Sequence, residues 1–156
     1  MLIRRAEISD IPDILRLLVQ VCNIHQDIRP DIFKLDGVKY TESDLRELLT
    51  DEIRPVWCAV EDEHFLGYCF CQWKEYRDSS VSTDRKELYI DDLCVDETAR
   101  GKGVATALFR HVTAVSKAAG AKFITLNVWE GNSARNFYDK MGMKPRKIFM
   151  DLPLED

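Results

Sequence analysis

Apolar positions along the chain change period several times, and each change marks the edge of an element. Leu2 to Ala6 predicts a short strand, after which Ser9 or Asp10 offers an N-cap and Pro12 falls in the first helical turn. Ile11, Ile14, Leu15, Leu18, Val21 and Cys22 then recur at three- and four-residue spacing, the stripe of a helix facing a core. From Asn23 to Tyr40 the pattern dissolves into polar chain containing Pro30 and Gly37, which predicts a loop. Thr41 with Asp44 has the form of a capping box, and Leu45, Leu48 and Leu49 supply the apolar side of a short second helix. Val56 to Glu61 and Phe65 to Trp73 are rich in aromatic and branched residues and predict two strands of a hairpin, joined by Asp62, Glu63 and His64. The charged stretch 74 to 86 predicts a surface loop.

Glu87 to Val95 predicts a further strand with two acids, Asp91 and Asp92, inside an otherwise apolar run. Burying a carboxylate is unfavourable unless it is paired or put to use. Neighbouring strand residues point to opposite faces, so at most one of the two is expected in a given cleft. The plain structural alternative is one acid paired with a buried arginine and the other at a bulge. Val104, Ala107, Leu108, Val112 and Val115 mark a helix ending at Gly120, Phe123 to Trp129 returns as a strand, Asn132 or Ser133 caps a last helix closed by Gly142, and Pro145 to Leu152 predicts a final strand. Strand, helix and strand from 87 to 129 make one βαβ unit, and the earlier strands are expected to be antiparallel. The fold class is therefore α/β, a mixed and mostly antiparallel sheet flanked by helices, in one domain over 1–156.

Composition narrows the classes. The chain has 156 residues, 46% hydrophobic, enough to bury one core and too few for two domains. No apolar run approaches the length that crosses a bilayer, and the opening Met1 to Glu7 carries charges where a signal peptide needs an apolar stretch, so a soluble cytoplasmic protein is expected, with no membrane partner. Five cysteines, an odd number without a Cys-x-x-Cys spacing, read as buried thiols; Cys69 and Cys71 lack the histidines that would make a metal site, and no metal is expected. A net charge of -5 disfavours a general nucleic-acid partner. Its distribution is uneven: residues 1–97 hold 12 basic and 22 acidic side chains, and residues 98–156 hold 10 and 5. That asymmetry suits two ligands of opposite sign, an anion held by the later segment and a cation drawn to the earlier one.

The anion site is expected at Arg100, Gly101, Lys102, Gly103, Val104, Ala105 and Thr106, between the strand ending at Val95 and the following helix. Glycines turn the backbone sharply and expose amides, and a helix N-terminus favours a phosphate. The spacing is not that of a P-loop, and a dinucleotide fingerprint would place its third glycine at Thr106. It does match a pattern of Arg or Gln, two residues, Gly, one residue, then Gly or Ala, at Arg100, Gly103 and Ala105. With the Asp91-Asp92-Leu93-Cys94-Val95 strand before it, Leu126-Asn127-Val128-Trp129 after it, and Asn132, Phe137, Tyr138 and Gly142 beyond, the chain resembles the GNAT superfamily of N-acetyltransferases over its whole length.

That resemblance implies direct transfer of an acetyl group from acetyl-CoA to an amine, with no covalent enzyme intermediate, and a homodimer is common among such proteins. No Cys or Ser here sits in a recognisable nucleophile setting, which suits direct transfer. By resemblance, residues 100–106 hold the pyrophosphate, Leu93, Cys94 and Val95 offer main-chain hydrogen bonds to the pantetheine arm, and Asn132 and Asn136 contact the CoA chain. Both asparagines read equally well as helix capping or surface solvation. Tyr138 is the expected general acid for the departing thiolate, with a core aromatic as the alternative. Asp91 and Asp92 are the candidate bases, with Glu87 behind them. The acceptor is expected to be a small cationic amine or a protein amine. A non-catalytic acetyl-CoA-binding module and a nucleotide-dependent oxidoreductase are the competing readings.

Overall fold

The structure is a computed structural model and describes residues 1–154. Five strands, β1 (Leu2–Arg5), β2 (Val56–Glu61), β3 (His64–Tyr76), β4 (Arg85–Val95) and β5 (Phe123–Leu126), form one sheet in sequence order. The first four pair antiparallel, and β5 lies parallel to β4 through the crossover helix α3 (Val104–Ala118). Helices α1 (Ile11–Ile28) and α2 (Glu42–Leu48) precede the hairpin strands, and α4 (Ala134–Lys140) follows β5. The expected mixed α/β sheet and its βαβ unit are thus present.

Each face of the sheet buries its own core. Ile14, Leu17 and Leu18 of α1 and Leu45 and Leu48 of α2 pack on Val56, Cys58, Tyr68, Phe70 and Cys94. On the other face Val104, Leu108, Phe109 and Val112 of α3 pack on Ala59, Cys69, Cys71, Leu88 and Ile90. The capping box of α2 forms as expected: the Asp44 amide donates to Thr41 Oγ1 at 3.1 Å, and the Thr41 amide donates to the Asp44 carboxylate at 2.8 Å. At the β2–β3 hairpin Asp62 and Glu63 both take positive φ, 47° and 64°, the backbone twist that a tight two-residue turn demands.

Four expectations need correction. Helix α1 does not stop near Cys22 but runs to Ile28, because its last turns gain tertiary partners: Asn23 exchanges side-chain and backbone hydrogen bonds with Asp36, and the His25 ring packs 5.1 Å from that of Phe33. Strands β3 and β4 extend well into the stretch expected as loop, leaving only 77–84 outside them. Cations laid over cross-strand rings hold these extensions: Lys74 over Tyr89 at 4.1 Å, Lys86 over Trp73 at 4.4 Å and Arg85 over Tyr76 at 4.0 Å. Strand β5 ends at Leu126 rather than Trp129. Residues 145–152, expected as a final strand, are not in the sheet, and a strand without a partner has no ladder to stabilise it.

Candidate active site

Two departures from regular β pairing build the site, and both lie on β4. Opposite β3, Phe70 pairs with Asp92 but Cys71 pairs with Ile90, so Asp91 is the extra residue of a bulge. Opposite β5 the ladder ends at Ile90 and Leu126 while β4 continues to Val95, so the edge from Asp91 to Val95 that faces away from β3 has no strand beside it. The two parallel strands part there, exposing main-chain groups of Leu93 and Val95 to whatever enters the opening.

The bulge also overturns the expectation that the paired acids face opposite ways. Leu88 and Ile90 face the α3 side; one added residue shifts the alternation, and Cys94 faces the α1 side. Both carboxylates consequently find partners on or near the α1 and α2 face. Asp91 accepts from Lys39 Nζ at 2.6 Å and from the Tyr40 hydroxyl at 3.2 Å, and Asp92 accepts from the hydroxyl of the fully buried Tyr68 at 2.8 Å. The bulge belonged to the plain reading of the pair; the buried arginine did not materialise. Glu87 leaves the list of bases. It is buried at the far end of β4, where Arg85 at 2.7 Å and Arg146 at 3.0 Å hold its carboxylate below the ordinary range despite desolvation.

Electrostatics separates the remaining groups. Desolvation pushes Asp92 up to about 6, against the pull of the Tyr68 hydrogen bond and of the Lys39 charge. Asp91, next to it in the strand, is a salt-bridge partner first: it holds the Lys39 ammonium above its ordinary value although burial acts the other way. Tyr138, on α4, is half-buried in the α3-side core, its ring 5.2 Å from Phe137 and 6.4 Å from Phe109. Burial raises its phenol, helped by Cys69 and Asp92, which also places that hydroxyl within electrostatic reach of Asp92. Burial therefore keeps the phenol protonated, and among the described residues the Tyr138 hydroxyl makes no hydrogen bond.

A cavity of about 170 Å³ adjoins the acids, lined by Tyr40, Leu48, Arg54, Phe70, Cys71, Gln72 and Asp91. A larger open groove beside Ile8, Pro12, Leu15 and Arg46 shares no residue with β4 and holds no comparable cluster. Tyr40 stacks on Phe70 at 5.6 Å, and further along the same loop Phe33 meets Trp129 edge-on at 5.1 Å, so the segment between α1 and α2 forms the wall of the opening. Tyr68, Tyr40 and Lys39 escaped the sequence reading. A tyrosine in a buried strand signals a hydroxyl in need of a partner, but nothing local says that the partner is Asp92.

The glycine turn lies where expected, between β4 and α3. Gly101 and Gly103 have φ of 75° and 80°, with Gly103 at the N-cap of α3 and no side chain capping the helix. The amides of residues 101–106 donate no hydrogen bond among the described residues, which leaves a row of donors at the positive end of a 15-residue helix. A Cβ on Gly101 or Gly103 would meet nothing within 4 Å, so the space above the turn is open. The Arg100 guanidinium reaches back to the Val95 carbonyl at 3.4 Å, and no acidic residue lies in the first turn of α3. Asn132, just before Ser133 at the N-cap of α4, accepts from the Ala134 amide at 2.9 Å, while Asn136 is exposed. All five cysteines are free thiols and four are buried.

Comparison with known proteins places these features in context. The model of the acetyltransferase (GNAT) family matches residues 18–143. A point mutant of the BH1408 protein from Bacillus halodurans is 32% identical, with a TM-score of 0.95 over 99% of this chain and 100% of that one. An acetyltransferase from Vibrio fischeri is 26% identical, with a TM-score of 0.68 over 83% of this chain and 97% of that one. An aminoglycoside acetyltransferase from an uncultured soil metagenomic sample, at 22% identity and a TM-score of 0.69 over 98% of this chain and 97% of that one, shares the fold. No curated protein matches the sequence.

Proposed function

The chain belongs to the acetyltransferase (GNAT) family, and from that premise we propose that it transfers an acetyl group from acetyl-CoA to a primary amine, a small cationic amine or an amine on a protein. The observation that carries this reading is the coincidence of two features on β4 and its continuation: a strand edge without a partner from Asp91 to Val95, and the unpaired amides of 101–106 directly after it. The first suits an extended arm bearing amides of its own; the second suits a diphosphate. Acetyl-CoA supplies the acetyl group as an activated thioester.

The protein's residues divide the remaining work. Amides of residues 101–106 hold the diphosphate, with Arg100 and Lys102 adding positive charge. Main-chain groups of Leu93, Cys94 and Val95 align the arm, and an N–H here polarises the thioester carbonyl. Asp92, close to half ionised near pH 6, accepts a proton from the attacking ammonium, directly or through water. Tyr138 gives its proton to the thiolate that leaves. Asp91 lines the cavity in which the acceptor sits and sets its charge together with Lys39. Asn132, just before α4, and Asn136, on its exposed face, contact the CoA chain.

An acceptor panel of polyamines, aminoglycosides and lysine peptides tests the reading through release of CoA thiol. We expect turnover with at least one amine, and a drop of about 100-fold in kcat for Tyr138→Phe with CoA affinity held within about twofold. Full turnover in the variant removes Tyr138 from the chemistry. Tight CoA binding with no turnover on any amine leaves a binding module instead.

A further inference from the structure

Lys39 already stands where an acceptor amine is wanted. Its ammonium donates to Asp91 at 2.6 Å, and Asp91 is the bulged residue at which the unpartnered edge of β4 begins. The charges of Lys39 and Asp92 also act on each other, so this one cation lies within electrostatic reach of both acids. Leu93 is two residues beyond Asp91, a separation of about 7 Å along a strand. The flexible four-carbon stem of a lysine swings through a gap of that order.

The backbone on either side of Lys39 is fixed. Three residues before it, Asp36 takes a φ of 53° and is tied to Asn23 of α1: its amide donates to the Asn23 side-chain oxygen at 2.8 Å, and its carboxylate accepts from the Asn23 side-chain amide at 3.0 Å. Gly37 runs so close to α1 that a Cβ there would stand 2.8 Å from Cys22 Sγ. Tyr40 stacks on Phe70, and Thr41 caps α2. The stem therefore starts from a set point while its head is free to leave. The Lys39 side chain is 47% exposed and that of Asp91 25%, and an ion pair so open to water contributes little to stability. An amine tethered in this way meets a carbonyl bound in the same cleft at an effective concentration far above that of a free amine.

We propose that Lys39 is itself an acceptor, a modification site on the wall of the opening that the protein acetylates in cis. The inference rests on the acetyl transfer proposed above and uses the same groups. Asp92 takes a proton from the Lys39 ammonium, directly or through water, and the Nζ lone pair forms a C–N bond to the thioester carbonyl carbon. The C–S bond breaks, and the thiolate takes its proton from Tyr138. The nitrogen gives up a second proton as the amide forms, which restores Tyr138 through solvent, and the proton on Asp92 passes to water. One CoA thiol is released, one proton is lost, and Lys39 ends as a neutral amide that no longer pairs with Asp91. Although burial acts the other way, Asp91 holds the ammonium above its ordinary value, so the free amine is scarce and the step is a slow, single event per chain.

Mass spectrometry of the intact chain and of its peptides, after incubation with acetyl-CoA and no added amine, tests it. One acetyl group per chain is expected, on Lys39, with a first-order rate that stays within about twofold when the protein is diluted about 100-fold. Lys34, exposed and five residues earlier on the same loop, is the internal control and should react at least about 10-fold more slowly. Lys39→Arg keeps a cation for Asp91, is expected to melt with the wild type, and should lose the modification. Equal acetylation of Lys34 and Lys39 overturns the inference, since it marks reaction with free thioester in solution, and so does a rate that climbs in proportion to protein concentration. The amine panel run alongside separates the two claims. Turnover of an added amine with Lys39 unmodified overturns this inference alone, whereas tight CoA binding with neither product overturns the transfer reading with it.

Discussion

Asp92 is held where its charge is disfavoured, and that single fact predicts both a pH profile and a trade-off. With the folded value near 6 against an ordinary 3.8, the fold favours the protonated form. The stabilisation from that form is complete below the ordinary value and is lost as pH rises through about 6. Asp92→Asn keeps an acceptor for the Tyr68 hydroxyl but removes the buried charge. The variant is therefore expected to melt above the wild type at about pH 8, with the gap closing as pH falls below the folded value. Activity runs the other way: kcat/KM of the wild type rises through a limb with a midpoint near 6, and this limb is missing from the residual activity of the variant. A limb that survives the substitution assigns the proton to another group. Lys39 makes a second prediction at this scale. Its ammonium already sits 2.6 Å from Asp91, so a cationic acceptor competes with a cation of the protein itself. Lys39→Met should lower KM for such an acceptor several-fold with kcat little changed, and an unchanged KM would show that the acceptor amine binds clear of Asp91. The sequence marked both acids as needing an explanation, because carboxylates inside an apolar strand are anomalous on local grounds. Their partners, Tyr68 and Lys39, lie 24 and 52 residues away in the chain; the register of β3 on β4 brings the first near, and the path of the loop between α1 and α2 brings the second.

At the level of elements, the features written in a few consecutive residues were the legible ones. The capping box at Thr41 and Asp44 and the glycine turn before α3 depend on local backbone chemistry, and both form where the sequence puts them. The far end of α1 and the long ends of β3 and β4 depend on contacts with other elements, so periodicity underestimated them. The bulge at Asp91 is a mismatch between two strands and is written in neither alone. Two glycines distinguish backbone demands from spatial ones. At Gly103 the left-handed φ of 80° is the constraint, since the space around it is open, and Gly103→Ala should cost about 1 kcal/mol and weaken CoA binding by displacing the amides that follow. At Gly67 the constraint is proximity: a Cβ would stand 2.6 Å from the Cys94 carbonyl oxygen, so Gly67→Ala should push β3 from β4 beside the opening and lower Tm more than Gly103→Ala does. Thermal melts of the two variants, set beside CoA titrations, check the ordering.

Across the whole molecule, the succession of strands and helices sufficed for the α/β class and for the single parallel pair, because the crossover through α3 admits little else. The place of the chain's last segment was not legible. Its alternating pattern asks for a strand, but residues 145–152 find no partner in the sheet. The charge asymmetry survives in the fold as two regions, an open row of amides with Arg100 and Lys102 at the head of α3, and Asp91 of β4 on the cavity side with Asp92 beside it in the strand. Among the described residues no helix is long and apolar enough to cross a membrane. Cofactor binding as proposed depends on the row of amides at 101–106. Titration of acetyl-CoA into isotopically labelled protein, followed by amide resonances, examines it directly. Saturable shifts should concentrate at residues 101–106 and at 93–95, with a far weaker response to acetyl-pantetheine, which lacks the diphosphate. Shifts that leave residues 101–106 untouched, or equal binding of both compounds, would contradict it.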